Sequence, residues 1–122
     1  MRIFIFIAAL FGGLSVGTGA FAAHALRERL TERSLEIFET AARYQMYHAL
    51  ALLGVALLLA RADSIALIVA GWAFIFGVTI FSGSLYALSL TDIKILGAIA
   101  PLGGIGFIVG WLAIAIAAVN FK

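Results

Sequence analysis

The sequence predicts an all-α integral membrane protein: a four-helix bundle with an interfacial amphipathic segment between helices one and two. Three observations carry that prediction. Hydrophobic residues make up 65% of the 122 residues, with a mean hydropathy of +1.18, far above the apolar share of soluble chains. They gather into four stretches, 3–23, 44–60, 65–88 and 95–119, each near the ~20 residues that cross ~30 Å of hydrocarbon. Each stretch is apolar on every face, whereas barrel strands alternate over about 10 residues. The length allows a single transmembrane domain.

The first stretch, "MRIFIFIAALFGGLSVGTGAFAAHA", has a basic start and small-x-small sites at Ala20/Ala22 and Ala23/Ala25, features shared with cleavable signals. Its apolar run is longer than a usual signal core, so it is read as a retained span. Within it Ala9, Gly13, Gly17 and Ala20 share one helical face, and His24 continues that face. Small faces let helices approach closely where lipid offers no hydrophobic contrast. His24 is therefore expected to point into the bundle.

Residues 26–43 follow, with Leu26, Leu30, Ile37, Phe38 and Ala41 at helical spacing among four Arg and four Glu. This reads as an amphipathic segment at the interface that runs on into span two, pinned by a solvated charged face or serving to dock a partner. Thr31 is an expected N-cap with Glu32 in the first turn, and Glu39 and Arg43 have ion-pair spacing. The remaining connections, "RADS" and "SLTDIK", are short, which predicts an up-and-down bundle. Thr91 or Asp92 is expected to cap the last helix. Pro101 within it removes the donor for the Gly97 carbonyl and predicts a kink there. Gly103, Gly106, Gly110, Ala113 and Ala117 alternate steps of three and four and form a packing seam. "GGIG" at 103–106 is no phosphate loop, since no strand precedes it and no Walker lysine follows.

By alternation, the N-terminus, the Arg61 turn and the C-terminus share one side of the membrane, A. The amphipathic segment and the Asp92 turn share the other, B. His24, Tyr44, Gln45, His48, Ser82, Ser84, Tyr86 and Ser89 all fall in the B half. Tyr44 and His48 are four apart, and Thr79, Ser82, Tyr86 and Ser89 step along one face. A polar cluster between helices, open toward B, is the simplest arrangement, with Arg43 and Tyr47 at the water boundary. Such groups either satisfy one another, since an unpaired polar group in hydrocarbon costs several kcal/mol, or mark a ligand, ion or proton site. The tyrosines also suit an interfacial belt.

Composition narrows the chemistry. There is no cysteine, so disulfides and thiolate sites are excluded. The net charge is only +2 with Arg interleaved by Glu, so nucleic acid is not an expected partner. The expected partners are the lipid bilayer, and a second copy or another membrane protein. No cofactor and no metal are predicted: His24 and His48 alone make a weak case for bis-histidine ligation, and zinc would want more ligands. Ser82 and Ser84 lack an orienting carboxylate for hydrolysis. No Asp or Glu lies within a span, which weakens a proton-coupled cation exporter, though His48 could titrate. A structural or accessory bundle is the leading reading, with an oligomeric solute or ion transporter as the alternative. Side B carries Arg27, Arg29, Arg33, Arg43 and Lys94 against Arg2, Arg61 and Lys122, a five to three bias that nominally puts B in the cytoplasm.

"GAFAAHALR" at 19–27, "YQMYHALALLG" at 44–54, "FSGSLYALSL" at 81–90 and "PLGGIGFIVGW" at 101–111 together resemble the small inner-membrane family called domain of unknown function 423. Its animal relatives are named transmembrane protein 256. The resemblance covers nearly the whole chain in matching order. It implies a four-span bundle, in the cell inner membrane for a bacterial source, and carries no catalytic role. His24, Tyr44, Gln45, His48, Ser82, Gly83, Ser84, Tyr86, Pro101, Gly103 and Gly104 match the family pattern. Ala22 stands where the pattern has Gly, a mild change if that position marks close helix contact and one that counts against a site there if the Gly makes room for a ligand.

Overall fold

The computed structural model describes residues 2–121. Four helices long and apolar enough to cross a membrane run up and down: α1 (Arg2–His24), α2 (Glu32–Leu59), α3 (Ile65–Thr91) and α4 (Ile95–Val119). Among the described residues there is no strand. The predicted architecture thus stands, and the helix ends explain themselves locally. Thr31 caps α2, its Oγ1 accepting from the Ser34 amide at 3.1 Å. Ser64 does the same for α3 through the Leu67 amide at 3.2 Å, giving an otherwise orphaned amide donor its acceptor.

At the other turn the expectation fails. Neither Thr91 nor Asp92 caps α4; the N-cap is Lys94, which makes no side-chain capping bond. Asp92 instead takes a left-handed conformation, φ 57°, and its amide bonds the Leu88 carbonyl at 2.8 Å, closing the end of α3. That is the αL stop usually made by Gly or Asn, and a short polar side chain tolerates it.

The amphipathic stretch is the second difference. Residues 25–31 form a compact turn, and the rest is the first three turns of α2 itself, continuous with span two. Its apolar residues cross the bundle rather than lie on its surface. Ala22, Leu26 and Phe38 make a small core near side B, with Leu30, Leu35 and Tyr86 against it. Ala22 is fully buried there, so the methyl added at the family's Gly position is packed. The Glu39–Arg43 pair does not form. The ion pair found among the described residues is Arg33–Glu36 at 3.8 Å, both exposed.

The main core occupies the A half: Phe4 and Ala8 of α1, Leu52, Val55 and Ala56 of α2, Leu67, Ala70, Phe74 and Val78 of α3, Phe107, Ala113 and Ala117 of α4. The α4 seam does what its spacing predicts. Gly103, Gly106, Gly110, Ala113 and Ala117 are all buried against α3, and the glycines accept aromatic rings: Phe74 lies on Gly110 and Phe76 on Gly106, while Phe107 lies on Gly77 of α3. At Gly103 the approach is closer still, because a Cβ there would collide with the backbone of Phe81.

Phe81 sits in a π-helical turn, Val78–Ser82, inserted into α3 between Gly77 and Gly83. The wider turn changes the register of the helix. Ser82 and Ser89 stay buried, but Thr79 is turned out and bonds back to the Ile75 carbonyl at 2.8 Å. Thr79 nevertheless lines one shallow hollow with Gln45, Ser82 and Tyr86, on the face predicted for it. Pro101 lies inside α4 without ending it. No side chain described reaches the Gly97 carbonyl, which is exposed near the B end, where interfacial water can serve it.

The face of α1 is reversed from expectation. Phe4, Ala8, Ser15 and Ala22 are buried, whereas Ala9, Gly13, Gly17, Ala20 and His24 are exposed. A methyl added at Gly13 or Gly17 would meet nothing within 4 Å. His24 therefore does not point into the bundle. The reason is physical: on a helix apolar all round, small residues mark where a close neighbour is possible and not which neighbour supplies it.

Candidate functional site

The intramembrane polar residues fall into two groups rather than one cluster. The first joins α1, α2 and α3. Ser15 donates to the Ala42 carbonyl at 2.6 Å and Ser82 to the adjacent Ala41 carbonyl at 2.7 Å, so α2 is clasped from both sides. One helical step deeper, Gln45 donates through Nε2 to the Phe11 carbonyl at 2.8 Å and accepts through Oε1 from the Tyr86 hydroxyl at 2.8 Å. Thr18 closes the group, 2.9 Å from the Tyr86 oxygen. Proton counting orients it: Tyr86 gives its single proton to Gln45, so Thr18 donates to Tyr86. The longer 3.2 Å approach of Thr18 to the Ser15 carbonyl is the lesser contact. Ser89 bonds the Tyr86 carbonyl at 2.8 Å on its own helix.

These bonds form because α2 presents Ala41, Ala42 and Ala49 to its neighbours, all buried. Small side chains bring carbonyls within hydroxyl reach. The Phe38 ring then covers Tyr86 edge-on, with centroids 4.9 Å apart.

The second group surrounds His48, which is buried. Its Nδ1 is 2.8 Å from the Tyr44 carbonyl and its Nε2 is 3.1 Å from the indole nitrogen of Trp111. A carbonyl only accepts and an indole N–H only donates. The imidazole is therefore the neutral Nδ1–H tautomer, with its Nε2 lone pair occupied. Phe107 stacks on the ring at 3.6 Å with 6° between planes. Phe74 and Trp111 complete the surround, with centroids 5.4 and 6.0 Å from the ring. Tyr44 belongs to this group too. Its ring packs 5.1 Å from Phe81, and it is partly exposed on a shallow groove of about 490 Å³ that includes Tyr47, His48, Gly104, Phe107 and Trp111.

Of the predicted site residues, Gln45, Ser82, Tyr86 and Ser89 are brought together, His48 and Tyr44 form a separate aromatic setting, Ser84 is buried outside both networks, and His24 lies apart on the outer face. Ser15, Thr18, Phe107 and Trp111 complete the two groups and were not singled out from sequence. Trp111 carried a detectable signal, since an indole N–H within a span wants an acceptor. Bis-histidine ligation does not fit: His24 is outside and Nε2 of His48 already has Trp111. Among the described residues, no three His, Asp or Glu come together as a metal would need. Arg43 and Tyr47 are both exposed. They line a groove beside Ser15, Val16 and Gly19, well within the length of α1.

Such a structure defines a class: a polytopic helical membrane protein whose interior polar side chains bond one another across helices. A narrower assignment follows from comparison with known proteins. Residues 18–104 match the family described as protein of unknown function (DUF423), and the chain belongs to that family. It is 49% identical over 121 residues to a UPF0382 membrane protein of Staphylococcus epidermidis, covering 99% of this chain and 98% of the relative. It is 46% identical over 122 residues to the UPF0382 membrane protein YwdK of Bacillus subtilis, covering 99% of each. No solved structure matches it. The relatives are named as membrane proteins, in accord with the four spans, and the family brings no molecular activity.

Proposed function

We propose that the chain is a non-enzymatic accessory helix bundle, in which the intramembrane polar residues lock helices together rather than receive a solute. One observation carries this reading: among the described residues, no buried side-chain nitrogen or oxygen lacks a hydrogen-bond partner. A solute or ion site holds groups in reserve for its ligand, and here the Gln45 and His48 groups already have protein partners. The alternative, a small-solute transporter, would need Gln45 or His48 to exchange those partners for a substrate.

The test pairs two measurements on Gln45→Leu and His48→Ala. In a locking role both variants lower the resistance of the purified protein to denaturant, and proteoliposomes of the native chain pass ions and small solutes no faster than empty vesicles. Flux through native vesicles that both substitutions abolish, with resistance to denaturant unchanged, would overturn the proposal and favour transport.

A further inference from the structure

We infer that the outer face of α1 and α2 is the contact between two copies of this chain, related by a twofold axis along the membrane normal and joined by Glu39 and Arg43. Two adjoining hollows of about 400 and 310 Å³ share Val16 and Met46, forming one groove along that face. Its floor is small: Ala9, Gly12, Gly13, Gly19 and Ala20. That stripe alone would say only that close approach is possible.

The charges say more. Glu39 and Arg43 line the B end of the groove, and neither makes an ion pair among the described residues. Their depth follows from α1. Residues 3–23 are uncharged throughout, and Ser15, bonded to the carbonyl of Ala42 beside Arg43, lies nine residues before His24, roughly 13 Å along the axis. The base of Arg43 is thus within the hydrocarbon layer, on the outside of the monomer. Intramembrane charges face protein or water rather than lipid.

The pattern is self-complementary. Glu39 and Arg43 are one turn apart on the same face, so a twofold axis beside them sets each Arg43 diagonally across from Glu39 of the other copy. Four charges of alternating sign then surround the axis, and the long guanidinium reaches toward side B, the direction in which Glu39 lies. Gly13 continues the contact below, where nothing in the monomer occupies the space.

The protein has no cysteine, so single cysteines read the contact directly in native membranes. Gly13→Cys, which lies in the groove and whose new side chain meets nothing in the monomer, is expected to form a disulfide at twice the monomer mass on mild oxidation. Ile116→Cys, exposed on α4, serves as the control and should not. On the Gly13→Cys background, Glu39→Arg or Arg43→Glu lowers the yield roughly tenfold, the scale of about 1.4 kcal/mol, and the double exchange restores it. Arg43→Gln, which removes charge without reversing it, lowers the yield less. The inference fails if Gly13→Cys cross-links no better than the control, if its product has any mass other than twice the monomer, or if the double exchange gives no recovery. The last result would mean that Arg43 serves lipid headgroups by reaching upward alone.

Discussion

His48 uses both ring nitrogens in opposite senses, toward an acceptor at Tyr44 and a donor at Trp111. That pair of partners sets its tautomer, and nitrogen-15 spectra of the reconstituted protein should report a protonated Nδ1 and a bare Nε2. The opposite tautomer, or a cationic ring, would break the assignment. Trp111→Phe keeps the aromatic surround and removes only the donor, so its cost should be small, about 0.6 kcal/mol, the average for a single cross-helix bond in a membrane protein. Gln45 is placed differently because it bridges two helices at once, and Gln45→Leu removes its bonds to both the Tyr86 hydroxyl and the Phe11 carbonyl. A loss of about 1–2 kcal/mol is expected in reversible unfolding from detergent. A Gln45→Leu protein as stable as the native one would show that the Tyr86 hydroxyl finds another partner.

Each helix meets its neighbours through a few positions of close approach, and these can be tested against adjacent residues that look alike in sequence. Gly103 and Gly104 are consecutive glycines. A methyl at Gly103 runs into the Phe81 backbone, whereas one at Gly104 comes only to 4.0 Å from the edge of the Phe81 ring. Gly103→Ala should therefore cost about 1–3 kcal/mol by overpacking, and Gly104→Ala should stay within about 0.5 kcal/mol of native; equal thermal stability of the two would refute this account of the crossing. The same scale shows what the sequence could reveal. The α4 seam, the Thr31 cap and the grouping of Gln45, Ser82 and Tyr86 were legible because spacing and capping chemistry are local. The direction of the small face on α1 was not, since lipid and protein interior are equally apolar and polarity cannot orient such a helix. Neither was the π turn at Val78–Ser82, which depends on how Phe81 meets α4 and is written in no single segment. Asp92 misled for a related reason: the side-chain chemistry that favours an N-cap also tolerates the left-handed conformation that ended α3 instead.

Across the whole molecule the charge distribution decides orientation, and the structure changes the count. Arg43 is set aside because Ala42 beside it is bonded to Ser15, well inside the length of α1, so side B retains Arg27, Arg29, Arg33 and Lys94 against Arg2, Arg61 and Lys122 on side A; Lys122 itself lies outside the described residues. The margin is one charge, and Lys/Arg near the helix ends is what the positive-inside bias reads, acidic residues contributing little. Side B should then face the cytoplasm, held there by few charges. Arg27 and Arg29 are exposed in the turn between α1 and α2, away from both hydrogen-bonded groups, so their removal alters the bias without disturbing the bundle. An Arg27→Ala/Arg29→Ala protein is expected to invert, since two positive charges on B would then oppose three on A. An Asp63→Cys reporter in the turn between α2 and α3 reads the result. A membrane-impermeant maleimide added to intact cells should label it in the parent, where that turn is external, and lose access to it in the double variant. Unchanged labelling would mean that orientation is set by the helices themselves and not by their flanking charges.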